Sequence, residues 1–395
     1  MTSRRLVLSR SAALVGAAST GLLLPGIVRA QSNRIRVGLM LPYTGTFAQL
    51  GVAIENGVRM AIGEKGGKLG GREIDWFKVD DESEPAKGVE NATKLVQRDK
   101  VDVLIGTVHS GVQMGIQKVV RDSGTLCLIP NAGVHAATRS LCAPNVFRTS
   151  FTNSQPTLAL GKAMVDKGHK KAVWITWKYA AGDEAFEGFR DSYTKAGGTI
   201  VKELGLPFPN VEFQALLTEI ASIKPDAVAC FFAGGGAAKF IRDYAAAGLK
   251  GRIPLYGSGF LTEGVLDAAG PAADGIITTM HYSDSLDTPR NRQFRLDYAK
   301  MFRMQPDVYA VQGYDTGQLL AHGMTAVKGD INNKAALYKS METAVIDSPR
   351  GKWTMSPSHN PVQDMYLRVV ENKENKVIGI AAKALADSGA GCKMA

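Results

Sequence analysis

The sequence predicts an α/β protein of two doubly wound lobes, each a parallel sheet with helices on both faces. Three observations lead there. Strand-like and helix-like segments alternate from residue 35 onward, an order that produces parallel sheets covered on both sides. The same order starts again near residue 155. Finally, Lys100-Val101-Asp102-Val103-Leu104 in the first half is answered by Lys224-Pro225-Asp226-Ala227-Val228 in the second, each ending a helix and opening a buried strand. With 395 residues, 45% hydrophobic and 21% charged, the chain has a globular balance and the length of about two domains.

In the first lobe, strands are expected at 35–41, 73–79, 101–105, 126–129 and 146–149, with helices at 51–64, 86–98 and 111–121. In the second, helices at 155–167, 183–196, 213–223 and 237–247 alternate with strands at 172–177, 199–204, 227–233, 253–256 and 275–280. Helical patterns at 290–303, 308–327 and 334–345 follow, then a turn at 348–351. An alternating segment at 364–370 folds back through 377–380 as a hairpin. Neither part is large enough to bury a core alone, so both are expected to return to the earlier lobes.

The first thirty residues read as an export signal. Arg4, Arg5 and Arg10 precede an apolar run at 11–24 and a small-residue site ending at Ala30. The run is too short to span a hydrocarbon core of ~30 Å. Residues 3–8 resemble a twin-arginine signal, with Val7 where Phe is usual and Ser9 where Lys is, and general secretion is the alternative. Cleavage near Ala30 removes four arginines and no acid, taking the net charge from +10 to +6. A soluble exported protein is expected, not one embedded in the membrane.

Four cysteines remain, with no Cys-Xaa-Xaa-Cys pair. In an oxidising compartment Cys127 and Cys142 are expected to close a loop of about fifteen residues, worth roughly 3 kcal/mol. Cys230 reads as a buried thiol in an apolar strand. Cys392 lies in a Gly-rich tail, and a second bridge between these two is left open.

Ligands of doubly wound sheets bind beyond the carboxyl ends of the strands. Those positions here carry the loops containing Tyr43, His109 with Ser110, Asn131-Ala132-Gly133, Tyr179 with Ala181, Gly234, and Phe260. Ser110, just before a helix, can cap it and also offer its hydroxyl to an anion beside exposed N–H groups. His109 reads as a cleft-lining or capping residue. Gly234-Gly235-Gly236 lacks the context of a nucleotide loop, and the six histidines show no metal-binding spacing. Residues 257–259 lack the spacing of a nucleophile elbow, and no basic stripe with interleaved aromatics suggests nucleic acid. No cofactor, metal or catalytic residue is expected.

At these loops the chain resembles the leucine/isoleucine/valine-binding protein family, the type I periplasmic solute-binding proteins of ATP-driven uptake transporters, over about residues 35–380. The resemblance rests on Ile35-Arg36-Val37-Gly38 with Pro42-Tyr43-Thr44-Gly45, residues 61–67, Asp80-Asp81, Ile105-Gly106 with Ser110, and Phe147-Arg148-Thr149-Ser150. Further matches are Ala246-Ala247-Gly248-Leu249 and Gln312-Gly313-Tyr314-Asp315-Thr316. It implies a monomeric binding protein that closes two lobes on a small carboxylate and delivers it to a membrane permease. Hinge closure is a known property of such proteins. The implied crossings fall near Thr152, Tyr282 and Ser358, making lobe 1 residues 31–152 plus 283–357 and lobe 2 residues 153–282 plus 358–395. By the resemblance, Ser110 and the Asn131-Ala132-Gly133 backbone hold the carboxylate. Leu50 stands where the family often has an aromatic wall, and Ala181 where many members carry a Tyr.

Two departures bear on the ligand. Gly133 replaces a threonine, and Gly259-Phe260 falls where amino-acid binders supply a glutamate to the ligand's ammonium. A buried ammonium without an anion is costly; Glu263 is the nearest substitute. Otherwise the ligand is an ammonium-free acid, aromatic or otherwise hydrophobic, resting on Phe232, Phe260 or Tyr179. An aliphatic amino acid and such an acid both stay open. A ligand-sensing module and a secreted two-lobed hydrolase are the competing classes, and the hydrolase lacks a nominated nucleophile and base.

Overall fold

A central parallel strand must be apolar on both faces, and β1 (Arg34–Leu41) meets that demand from Val37 to Leu41, apart from Gly38. Successive side chains point to opposite sides. Leu39 and Leu41 share one buried cluster with Val58 and Ile62 of α1 (Ala48–Gly63), whereas Met40 belongs to a second cluster. The computed structural model describes residues 34–394; the expected export signal lies outside the described residues.

After α1 come β2 (Glu73–Asp80), α2 (Pro85–Thr93), β3 (Val103–Ile105), α3 (Ser110–Ser123), β4 (Leu126–Ile129) and β5 (Val146–Arg148). The five strands form one all-parallel sheet in the order β2-β1-β3-β4-β5. Val112, Ile116 and Val120 of α3 pack with Met40, Leu104 and Ile129 on the face opposite α1.

The second lobe repeats the plan with α4 (Ser154–Asp166), β6 (Lys171–Lys178), α5 (Ala180–Lys195), β7 (Thr199–Pro207), α6 (Gln214–Ile223), β8 (Ala227–Phe231), α7 (Gly234–Ala246), β9 (Leu255–Ser258), α8 (Leu266–Ala269) and β10 (Ile277–Met280). Its parallel strands run β7-β6-β8-β9-β10, the same winding. There follow α9 (Pro289–Phe302), α10 (Val308–Ala326), α11 (Lys334–Glu342), β11 (Thr354–Met355), β12 (Pro361–Glu371) and β13 (Glu374–Leu385). Helix α10 packs along α1 of the first lobe. The hairpin joins the second sheet, where β12 pairs antiparallel with β10.

Strand order reverses between β1 and β3 and again between β6 and β8. At such switch points the loops leaving neighbouring strands diverge and open a crevice. The remaining differences from expectation are local. The helix expected at 86–98 is regular to Thr93 and then widens into a π-turn over Lys94–Arg98. Strand β9 begins at Leu255, after Pro254, which has no N–H for a ladder.

The cysteine pairing requires a correction. Cys142 is bonded to Cys392, with Cα atoms 5.5 Å apart, and Cys127 is a buried free thiol, as is Cys230. Cys127 sits within β4, where the strand turns its side chain into the core beneath α3. Cys142 lies in a turn that the C-terminal tail covers, and Arg139 Nη2 binds Asp387 at 2.6 Å on the same approach. Burial pushes the Cys127 thiol up to about 12. The bridge closes a loop with a sequence separation of 250, worth roughly 5 kcal/mol by chain entropy. Peptide mapping is therefore expected to recover a 142–392 disulfide, and Cys392→Ser is expected to lower the thermal midpoint by several degrees. Native Cys127 and Cys230 should resist alkylation.

Candidate functional site

The first lobe supplies one wall from the loops after β1, β3 and β4. Gly51 lets α1 press against the end of β1, since a Cβ there would stand 1.8 Å from the Pro42 carbonyl oxygen. That approach brings Phe47 and Leu50 to the cavity. After β3, His109 is the extended N-cap of α3 and Ser110 its first residue; Val108 and Ser110 face the cavity, as do Asn131 and Gly133 after β4. The first crossing adds Phe151 and Asn153. Gly133 has a packing reason: a Cβ there would lie 2.3 Å from Asn153 Oδ1 and 2.7 Å from the Phe151 ring.

The second lobe builds its wall the same way. Gly182 repeats the close approach of Gly51, its Cβ position being 1.8 Å from the Trp177 carbonyl oxygen. Tyr179, the N-cap of α5, and Ala181 in its first turn thereby reach the cavity. Phe231 and Ala233 at the end of β8, Phe260 after β9 and Tyr309 at the start of α10 complete it. The open space between these walls is about 20 Å³, room for about one water, so a larger ligand enters only as the walls move apart. Its walls are aromatic rings, amides and hydroxyls, and no charged side chain lines it. Helices α3, α5 and α7 all begin at this cavity, and unpaired N–H groups with the positive dipole end favour an anion.

The lobes touch across the cleft. The His109 ring stacks on Tyr179 with centroids 4.7 Å apart at 7°, and Phe47 lies 5.2 Å from Phe208. Burial pushes His109 down to about 4, so it is neutral at pH 7. It stands beside the cavity and does not line it.

Of the other expected residues, Ser110, Asn131, Gly133, Leu50, Tyr179, Ala181 and Phe260 line the cavity. Ala132 lies behind it: its N–H donates to Thr107 O, and its carbonyl accepts from Arg148 Nε at 3.0 Å. Tyr43 is turned away, with the Lys78 ammonium 3.8 Å from its ring centre. Gly234 opens α7 at φ 56° against Thr46 of the other lobe. Phe232 is buried in a core cluster with Trp177, Phe213 and Phe240, because strand alternation sends Phe231, not Phe232, to the cavity. Glu263 is engaged elsewhere: its carboxylate pairs with Arg368 Nη1, and Oε2 accepts from Val308 N at 3.0 Å.

Sequence reasoning missed Phe47, Val108, Phe151, Asn153, Phe231, Ala233 and Tyr309. Tyr309 is more than 150 residues from most of its partners and carries no local signal. Phe151 and Asn153, beside the expected crossing near Thr152, were within reach of the reasoning that placed the hinge.

A neutral, largely aromatic cavity enclosed between two doubly wound lobes defines a small-molecule binding protein. The chain belongs to the periplasmic binding protein family, whose model matches residues 34–375. It is 28% identical over 355 residues to Leu/Ile/Val-binding protein homolog 6 of Brucella abortus, covering 88% of this chain and 90% of the relative. Among solved structures it is similar to an ABC transporter solute-binding protein of R. palustris in complex with benzoate, at 53% identity, covering 91% of this chain and 99% of that one with a TM-score of 0.89. A solute-binding protein of Rhodopseudomonas palustris BisB5 in complex with 3,4-dihydroxybenzoic acid is 29% identical, covering 90% and 99%, with a TM-score of 0.85. Among the described residues no helix is long and apolar enough to cross a membrane, and no group of three or more His, Cys, Asp and Glu is placed to hold a metal ion.

Removing the Glu263 carboxylate strands the fully buried Arg368 guanidinium, which costs about 3–5 kcal/mol. Glu263→Ala is therefore expected to shift the urea midpoint strongly downward. A variant that keeps its stability and loses only ligand affinity would place Glu263 in the site.

Proposed function

We propose that this protein is the extracytoplasmic solute-binding component of an ATP-driven uptake transporter and that its cleft takes a small aromatic carboxylic acid. The observation that carries the ligand class is the cavity lining: rings from Phe47, Phe151, Phe231, Phe260, Tyr179 and Tyr309, amides and hydroxyls for a carboxylate, and no acidic side chain for an ammonium. An α-amino acid would bury its ammonium without a counter-charge, and Glu263 is already spent on Arg368. The benzoate and dihydroxybenzoate complexes of the two similar solute-binding proteins support the same class.

In this reading Ser110 donates its hydroxyl to the ligand carboxylate, Asn131 and Asn153 flank it, and the start of α5 at Ala181 adds backbone N–H donors. Tyr179 and Phe260 hold the ring. Export directed by residues 1–30, with cleavage near Ala30, delivers a periplasmic monomer. Lobe 1 (expected as 31–152 and 283–357) and lobe 2 (expected as 153–282 and 358–395) hinge near Thr152, Tyr282 and Ser358, while the tail around Asp387 and Cys392 is fastened to lobe 1 at Arg139 and Cys142. The closed form presents its ligand to a membrane permease without chemical change.

Calorimetry and thermal shift with benzoate, 4-hydroxybenzoate and cinnamate against leucine and isoleucine test the ligand class. Aromatic acids are expected to bind and to raise the midpoint with concentration as mass action requires. Tight leucine binding with no response to aromatic acids overturns the ligand class, and turnover of a bound acid overturns the binding-protein reading. Ser110→Ala is expected to weaken benzoate binding about 10- to 100-fold, the loss of one hydrogen bond to a charged group, with the ligand-free protein still folded and its midpoint lowered only slightly, since Asn153 Nδ2 loses one of its two acceptors.

A further inference from the structure

Behind the cavity wall lies a carboxylate that no strand-end motif points to. Asn153 Nδ2 donates to Ser110 Oγ at 3.2 Å and to Glu184 Oε2 at 2.7 Å. Both amide hydrogens are thereby used. Because Ser110 Oγ accepts from Asn153, its own hydrogen is left to point elsewhere, and the cavity lies on that side. Glu184 belongs to α5 of the second lobe, yet both its oxygens accept from the His135 backbone N–H of the first at 3.0 Å. The contact therefore exists only while the lobes are together.

We infer that Glu184 is a positioning residue of the ligand site, orienting Ser110 through Asn153, and that its carboxylate takes up a proton when the lobes close on an anionic ligand. The inference rests on the carboxylate ligand proposed above. One proton passes from buffer to a Glu184 carboxylate oxygen on closure and returns on opening, with no other covalent bond made or broken.

The charged groups around Glu184 do not cancel this. His135 Nδ1 stands 3.7 Å away, but burial pushes that ring down to about 3, so it brings no positive charge at neutral pH. The hydrogen bonds from the Asn153 amide and the His135 N–H lower Glu184, and Arg148 and Arg139 lower it further; Arg139 is already paired with Asp387 at 2.6 Å, and Arg148 is spent on carbonyl and side-chain oxygens of the 132–138 loop and Asn360. Glu187, on the same helix, adds a like charge near His135. Desolvation outweighs them and pushes Glu184 up to about 7 in the closed protein. When the lobes part, water returns the carboxyl toward 4.5, its ordinary value, whereas a bound anion one side-chain amide away raises it further.

The closed, liganded form binds more protons than the open form, so affinity is greatest at low pH and falls as pH rises from about 5 through 7. Calorimetry of benzoate binding at pH 6.5 in phosphate and in imidazole buffers reads the proton directly. The wild-type protein is expected to take up a large fraction of one proton per ligand, with affinity falling about tenfold between pH 5.5 and 7.5. Glu184→Gln keeps the size and an acceptor oxygen; it is expected to bind with a flat pH profile and no proton exchange.

No uptake by the wild type, or equal uptake by Glu184→Gln, overturns the assignment. The latter result would point to Asp307, which is also pushed up to about 7 and lies two residues from Tyr309 on the opposite wall. If Glu184→Gln does not fold, carbon-13 titration of the wild-type glutamates with and without benzoate reads the same shift. Absence of benzoate binding counts against the ligand class and not against Glu184, which is then tested by proton exchange with whichever acid of the panel binds; if none binds, both fall.

Discussion

A small anion taken out of water needs its charge answered, and the cavity of this protein is lined by no cation that could answer it. What surrounds the space instead is backbone and hydroxyl: α3, α5 and α7 start at the carboxyl ends of β3, β6 and β8 and bring their unpaired N–H groups to one place. Two identically wound sheets facing each other produce that convergence. Gly51 and Gly182 sharpen it by letting helices start against the strand ends.

Three buried arginines stand at the joints between lobes. Arg350 pairs with Asp315 at 2.9 Å and donates to the carbonyls of Thr149 and Ser150, where the chain first leaves the first sheet. Arg368 of β12 binds Glu263 and the Tyr282 carbonyl, at the second passage. Arg148 holds the Ala132 and Val134 carbonyls and Asn360, tying the cavity loop to the third. Each of these guanidiniums donates to a set of buried oxygens, and those of Arg350 and Arg368 also meet a carboxylate. The cavity itself can then stay neutral, which suits a ring bearing one carboxylate better than a zwitterion.

Much of this architecture was legible in advance because parallel sheets leave a strong local record. Apolar strands of four to eight residues alternate with amphipathic helices, and loops at strand ends gather small residues. That sufficed to place Ser110, Asn131, Tyr179 and Ala181 at the crevice. It failed wherever one residue of register or a distant segment decided the outcome. Phe231 and Phe232 are chemically alike, and only the pleat says which faces the cavity. Cys127 lay nearer in sequence to Cys142, but β4 turns it inward and the tail brings Cys392 instead.

By itself, then, the sequence determined the winding of each lobe, the repetition of that winding and the positions where a crevice opens, since these follow from periodicity and short loops. The tertiary structure alone decided that Tyr309 closes the cavity, that Glu263 neutralises Arg368, and that Glu184 stands behind Asn153 and Ser110. Those contacts join residues from about 30 to about 260 positions apart, set by lobe packing and desolvation, and no local pattern encodes them.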